Sequence, residues 1–583
     1  MDRKAWIAVT LSVVGLIAWQ WYVGKTYPPV KPGAAGSNAT ATTPATPSPT
    51  ASPSAAAAPT PAPTPGLPVM TARAESISHG GVEFVFNNDA GGIEEVLLGL
   101  HKGENETRVS LNRDRGMPIG ALGFQAGEVI GGFEMRTDPT KGEAVFTKTA
   151  ADGLQIAKRF VMPSESEKEK IYTVSLEVFF TNPGTTELTV PDFFVGTGGA
   201  APIHVSDLPM YTRFDWSHGG SMTMIDVNWF SPSSIPIIGI PLRGERTLYL
   251  ESKPDVDWAA VTSQYFCTII TPKEMKGQSV WARRFDTKKQ NNTPVYGIQA
   301  GLGMAGFTVP PGSTISRTFE IYSGPKELAR LRKLGPNQDH VMNFGWFGFV
   351  SEFLLWAMVS LHGLVGSYAA AIIVLTLLIK SALWPIQNKA TNEMRKMAAL
   401  SPKMTEMREK LKDDPQKMNE EIMKLYKEYG VNPFSGCFPM LIQIPIFFGF
   451  YAMLGTAIEL RNSSFFWIHD LSQPDTVGHI LGFPINLLPI IMAGTMVWQM
   501  AITPKSGDAM QQRIFYFMPI IFLVFCYNYA SGLALYWTTQ NIFSIVQLYL
   551  TRNTPLPTLE KKSVVAKREA AAIKKKKKNR STP

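Results

Sequence analysis

One charged side chain interrupts the apolar run from Ala369 to Pro385, and it is Lys380. Counted inward from Tyr368 at about 1.5 Å per residue, twelve residues place it roughly 18 Å into a hydrocarbon core about 30 Å thick. A charge at that depth costs at least about 2.5 to 3.5 kcal/mol unless it is solvated or paired. Two readings compete. Either the ammonium snorkels along its own stem toward cytoplasmic headgroups, or it faces a water-filled concavity in the inner half of the bilayer. Other polar residues favour the concavity. Thr376 shares the Lys380 face at i, i+4 spacing, and Gln443, Gln499, Asn528, Thr538, Thr539, Gln540 and Asn541 fall within other apolar segments. Facing lipid, each would cost several kcal/mol; lining a wet groove, it would not. For any single one, a hydrogen bond between helices is the commoner use. The chemistry on offer is transient attraction of acidic groups.

Tools for bond making are missing from the sequence. It has no G-x-x-x-x-G-K-[ST] and no H-E-x-x-H, and its eight histidines form no ligand-like cluster. Cys267, Cys437 and Cys526 lie far apart with no metal-type spacing, which argues against a disulfide framework and a structural zinc. Paired intramembrane carboxylates, expected of a proton relay, are absent. The chain is expected to be no enzyme and to need neither metal nor cofactor.

The elements that must position Lys380 follow from composition. Of 583 residues 45% are hydrophobic and 18% charged, fewer charges than the roughly 25% of a soluble domain. The net charge of +9 equals the surplus of residues 551–583, with eleven basic and two acidic side chains, so the rest of the chain is balanced. Residues 5–23 carry no charge, follow Arg3 and Lys4 and end on Trp19, Trp21 and Tyr22. They read as an uncleaved membrane anchor (1–27), a cleaved signal peptide being the competing reading. A Pro, Ala and Thr-rich linker (28–71) follows, whose composition cannot bury apolar surface.

From 72 to 335 the pattern has period two. Val174, Leu176, Val178 and Phe180 alternate with mostly polar residues up to the turn Asn182-Pro183-Gly184, which predicts a large antiparallel sandwich. Residues 336–365 predict a helix along the outer interface. Membrane spans are expected near 366–386, 433–457, 482–503, 514–530 and 533–550, giving six with the anchor. Between the first two of these, 387–431 predicts a helical hairpin: Met394, Met397, Met404, Met407 and Leu411 form one stripe, and Met418, Ile422, Leu425 and Tyr429 the other. Asp414 before Pro415 supplies an N-cap and a first-turn proline. Stripes facing each other make an antiparallel pair; a docking surface for proteins is the minor reading of the methionines. The basic residues fall in 387–431, 504–513 and the tail 553–583, which places both termini in the cytoplasm and the sandwich outside. In the tail, Lys574, Lys575, Lys576, Lys577 and Lys578 can bind phosphate, whether of anionic lipid or of RNA.

Four blocks carry a resemblance: Gly430-Val-Asn-Pro433-Phe-Ser-Gly-Cys437-Phe-Pro439-Met-Leu-Ile-Gln443-Ile-Pro445-Ile-Phe; Phe466-Trp467-Ile468-His469-Asp470-Leu471; Met510-Gln511-Gln512; and Ser531-Gly532-Leu-Ala-Leu-Tyr536-Trp537. They resemble the YidC/Oxa/Alb family of membrane protein insertases, and anchor, tether and sandwich match the layout of its Gram-negative members. The resemblance implies an α-helical polytopic membrane protein with six transmembrane helices, five forming an insertase core, and a large all-β periplasmic sandwich domain. It implies an inner-membrane insertase and chaperone whose substrates are nascent membrane proteins, working alone or with the Sec translocon through a hydrophilic groove, to which it adds Tyr536 and Trp537. The implied partners are the ribosome, the signal-recognition receptor and anionic lipids, with no role for DNA. Where relatives carry arginine, this chain has Lys380, which keeps the charge but loses the planar, multidentate guanidinium. Tyr529-Ala530 stands where close relatives have an aromatic followed by proline, and Asn528 replaces an aromatic. A small-solute transporter and a membrane-anchored periplasmic carbohydrate-binding or carbohydrate-modifying protein are the alternatives.

Overall fold

The computed structural model describes residues 73–551, apart from short stretches at 104–106, 114–115, 165, 205–206, 235–240, 288–293, 413, 433–437 and 504–508. The expected anchor, the linker and the tail with Lys574 to Lys578 lie outside the described residues.

Every strand pairing in the β-rich part is antiparallel. The strands Ala74–His79, Val82–Asn87, Gly92–Lys102 and Arg108–Leu111 form a four-stranded sheet, and a thirteen-stranded sheet holds most of the others. Strand Thr173–Thr181 shows why the chain folds so: Val174, Leu176, Val178 and Phe180 are buried, and the residues between them are only half-buried. That alternation puts one face on the core. Phe86, Phe146 and Phe160 meet there with ring centroids 5.4 to 6.1 Å apart, each burial worth about 1.5 to 3 kcal/mol.

His101, on Gly92–Lys102, lies 3.2 Å from the Tyr172 hydroxyl through Nε2. Burial, and after it the charge of Arg461, pushes its imidazole down from 6.5 to about 4. The unfolded chain therefore binds more protons than the folded one between those values. Stability from neutral His101 is complete above about pH 6.5 and is lost as pH falls toward about 4. Unfolding midpoints measured between pH 7 and 4 should fall less steeply in His101→Gln than in the parent. The ring is partly exposed, so the difference should be about 1 to 2 kcal/mol.

Eight α-helices follow among the described residues. They are α1 (Leu328–Leu334), α2 (Gly348–Val365), α3 (Tyr368–Lys410), α4 (Pro415–Tyr429), α5 (Phe438–Thr456), α6 (Leu487–Ile502), α7 (Ala509–Cys526) and α8 (Ser531–Thr551). The predicted hairpin is α3 with α4, and Asp414 caps α4 by accepting from Lys417 N at 3.0 Å, with Pro415 in the first turn. Two expectations need correction. The span at 366–386 and the first hairpin arm are one helix of 43 residues that runs through Pro385 and Pro402. Each proline removes one rung, but α8 braces α3 on both sides of Pro385: Trp384 meets Phe543 edge-on, and Asn388 accepts from Gln547. The span expected from 482 begins at Leu487, because Phe483–Asn486 pairs with Thr476–Ile480 as a β-hairpin.

Sandwich and helices are joined by polar contacts that the sequence does not announce. Gln264 Nε2 donates to Gly455 O at 2.9 Å, Tyr265 Oη to Ser472 O at 3.0 Å and Arg461 Nη2 to Lys102 O at 2.8 Å, while the Tyr211 and Tyr529 hydroxyls lie 3.0 Å apart. Gly455 has to be glycine here. A Cβ would sit 2.1 Å from the Tyr529 hydroxyl and 2.4 Å from that of Tyr211.

Candidate functional site

Helix α8 is the centre of the polar contacts in the helical part. Tyr536, Gln540, Ser544, Gln547 and Thr551 recur every three or four residues, so they share one face. Gln443 of α5 donates through Nε2 to Tyr536 Oη at 2.9 Å and to Gln540 Oε1 at 3.0 Å. Lys380 of α3 donates through Nζ to Ser544 Oγ at 3.3 Å. Gln547 Nε2 donates to Asn388 Oδ1 at 3.0 Å, and Arg395 donates to the Thr551 carbonyl. These pairs form a polar seam that runs from Gln443 past Lys380 toward the hairpin. Among the described residues Lys380 makes no ion pair. Among the described residues the group bonded to its ammonium is a hydroxyl.

Lys380, Gln443, Tyr536 and Gln540 are thus brought together. Thr376 is buried one turn away and satisfies its hydroxyl on Ile372 O at 2.7 Å, and Thr539 does the same on Leu535 O at 2.8 Å. Trp537 meets Phe447 edge-on and Phe522 at a tilt, with centroids 4.8 and 4.6 Å away. Its Nε1 and the Thr538 hydroxyl are buried with no hydrogen-bond partner among the described residues. Such groups mark places where a guest or solvent can bond. Asn541 points elsewhere and ties α8 to α6 through Thr495 Oγ1 at 3.0 Å. Gln499 is half-buried on α6, and no bond joins its side chain to the seam. Asn528 is not in this group. It lies in the turn between α7 and α8, exposed, accepting from Asn486 Nδ2 at 3.4 Å near the sandwich end of the bundle.

The pair of α3 and α4 closes over Leu400, Met404, Leu425 and Val431, with Met397 and Met407 packed against them. Met394 is half-buried and lies outside that cluster. The Tyr426 hydroxyl reaches Met404 Sδ at 3.4 Å. Met397, Met404 and Met407 pack between the two helices. Ser544, Gln547, Asn388 and Arg395 were missed in the sequence, although the spacing from Tyr536 to Thr551 was there to be read.

The sandwich has a cavity of about 710 Å³ whose lining includes Arg108, Asn112, His204 and Tyr296. One carboxylate, Asp207, faces it among the described residues, and its Oδ2 already accepts from Ile203 N at 2.8 Å and His204 N at 3.0 Å.

Comparison with known proteins gives the arrangement a family. Residues 360–557 match the family model described as 60Kd inner membrane protein, and residues 123–357 match the YidC periplasmic domain. The chain is 31% identical over 577 residues to a membrane protein insertase YidC of Syntrophus aciditrophicus, covering 94% of this chain and 99% of that protein. A second YidC insertase, from Herminiimonas arsenicoxydans, is 39% identical over 300 residues, which is 51% of each chain. A solved structure of an active YidC insertase with its first transmembrane domain resolved covers 84% of this chain and 94% of its own, at 18% identity and a TM-score of 0.33. With a relative aligned over almost its whole length and both family regions matched in order, the chain belongs to the YidC family of membrane protein insertases, inner-membrane proteins that join a β-rich periplasmic domain to a helical membrane region.

Proposed function

We propose that the seam on α8 lines a hydrated groove through which a nascent membrane protein is admitted, with Lys380 as the attracting charge. The observation that carries this reading is Lys380 itself: an ammonium without an ion-pair partner among the described residues, bonded to Ser544 on the same face as Gln443, Tyr536 and Gln540. Polar groups that pair side by side lower the apolar distance a hydrophilic substrate segment has to cross. Once that segment has passed, the apolar stretch behind it moves sideways into lipid, driven by burial at about 25 cal/mol per Å². No nucleotide is required for a downhill transfer.

In this reading the chain crosses the membrane six times. Residues 1–27 form the anchor, 28–71 the linker, 72–335 the periplasmic domain, 336–365 the interfacial segment and 366–552 the core, with 553–583 as cytoplasmic tail. Both termini are cytoplasmic, as the basic loops require. The packed pair of α3 and α4 and the lysine-rich tail face the ribosome and the signal-recognition receptor or anionic lipid, and the Sec translocon shares part of the work.

A photocrosslinker at Gln443, Gln540 or Ser544 should capture a ribosome-stalled membrane protein. The same group at Asn528, in the outer turn, should not. Capture at Asn528 with none along the seam would overturn the proposal.

A further inference from the structure

Seven non-glycine residues among those described have positive φ: Asn112, Asp255, Asn337, Asn343, Asn462, Phe466 and Leu481. Five are Asn or Asp, whose short polar side chains tolerate the left-handed region. The exceptions are Phe466 at 50° and Leu481 at 52°. Both lie in the connection between α5 and α6, and both are open to the surroundings, at 83% and 103% relative exposure. Leu481 and Gly482 make the turn of the hairpin Thr476–Ile480/Phe483–Asn486, with both central φ values positive. Such a turn favours Asn-Gly. A leucine there holds an apolar side chain at the tip at the cost of backbone strain, and strain of that kind persists where the surrounding structure fixes it and clusters at functional sites.

Further features of the connection point to its function. Val477, Ile480 and Phe483 are exposed beside Leu481, and no Asp, Glu, Lys or Arg occurs from Val477 to Thr503. The hairpin leads straight into α6, whose Ile490, Ile491, Val497 and Trp498 are exposed on the outside of the bundle. Helix α6 has 16 residues, about 24 Å, against a hydrocarbon core of about 30 Å. The uncharged hairpin continues its apolar surface where the helix falls short. The base is fixed. Thr476 Oγ1 donates to Asn486 Oδ1 at 2.6 Å, Asn486 Nδ2 to Tyr527 O at 2.6 Å and Tyr527 Oη to Pro484 O at 2.6 Å. Asp475 Oδ2 accepts from Trp467 Nε1 at 3.1 Å and from Leu488 N at 2.6 Å, so one carboxylate holds the Phe466-Trp467 corner to the start of α6. The connection leaves α5 at the end that meets the sandwich through Gly455, which is the periplasmic end.

We propose that this connection is a lipid anchor: Phe466, Ile480, Leu481 and Phe483 enter the headgroup boundary of the periplasmic leaflet beside α6. The hairpin has two open edges, and unpaired backbone groups exclude it from the hydrocarbon centre. The boundary, where water still reaches those edges and aromatic rings gather, satisfies both demands.

The test uses the full-length chain in phosphatidylethanolamine/phosphatidylglycerol vesicles, with an environment-sensitive fluorophore on Leu481→Cys or, as reference, on Thr185→Cys in an exposed turn of the sandwich. Labelling of the parent chain is subtracted. A phospholipid carrying a nitroxide near its headgroup should quench the label at 481 several-fold more than that at 185, and aqueous iodide should do the reverse. Equal iodide quenching at the two sites, with no effect of the spin-labelled lipid, overturns the proposal. Because a cysteine at 481 can perturb the turn, the unsubstituted chain is also treated with a photoactivatable phospholipid. Adducts on residues 466–467 and 477–483 are expected; adducts confined to the helices overturn it. Leu481→Asn, which suits the turn, should leave the thermal midpoint in detergent unchanged or raised while lowering lipid labelling of the hairpin several-fold. A purely structural leucine would not separate the two readings.

Discussion

Lys380→Glu should reduce insertion of substrates with an acidic leading segment by about tenfold or more, while substrates with an uncharged leading segment change by less than about threefold. Two unit charges about 6 Å apart at an effective dielectric of about 20 interact by roughly 3 kcal/mol. Reversing one sign turns that attraction into repulsion, and even a groove wet enough to screen most of it leaves more than the roughly 1.4 kcal/mol that makes a factor of ten. Among the described residues the ammonium is free of carboxylates, and its bonded neighbour is the Ser544 hydroxyl at 3.3 Å. Lys380→Arg should insert both substrate kinds at close to the parent rate, and Lys380→Ala should fall between. Quantitative insertion into inverted membrane vesicles checks all three. Parent-level insertion of the acidic substrate by the Glu variant would remove the attraction step from the mechanism.

The second large effect concerns stability. Arg213→Met should destabilise the sandwich by about 3 to 5 kcal/mol, because it strands the carboxylate of Asp215 inside the core. Asp215 is 0% exposed and Arg213 is 3% exposed. The guanidinium donates Nε to Oδ1 at 3.1 Å and Nη2 to Oδ2 at 2.9 Å, and Nη2 also reaches Val341 O at 3.0 Å. Arg213→Met combined with Asp215→Leu should recover most of the loss, since an apolar pair of similar volume needs no counter-charge. Denaturant titration of the purified full-length chain, followed by circular dichroism in the β-sheet region, measures both. A single variant that unfolds within about 1 kcal/mol of the parent would show that the carboxylate finds another partner.

Much of this architecture is legible residue by residue. The period-two run around Val174 to Phe180 becomes a half-buried strand, and Asp414-Pro415 starts a helix as its chemistry demands. What escapes are features set by distant partners. Pro385 reads as the end of a span, yet α3 continues because α8 braces it through Phe543 and Gln547, residues more than 150 positions away. Phe483 to Asn486 reads as the first turn of a helix, yet it pairs with Thr476 to Ile480, and a short apolar run does not say whether it is strand or helix. Asn528 reads as groove lining because it falls in an apolar stretch, and the break after Cys526 moves it to the outer turn. The polar spacing on α8 is visible in one segment. Its partners, Lys380, Asn388 and Arg395 on α3 and Gln443 on α5, are not, since nothing local records which helices lie alongside.

Helix α3 joins Lys380 to Met404 without a loop between them, across about 36 Å of continuous backbone at 1.5 Å per residue. No loop stands between the two ends to absorb a push. A body that leans on the packed end near Leu400 and Met404 loads the same helix that carries the ammonium, and Pro385 and Pro402, each lacking a rung, are the points at which that helix can bend. Contact at the packed end of α3 and the aim of the charge farther along it are therefore mechanically linked.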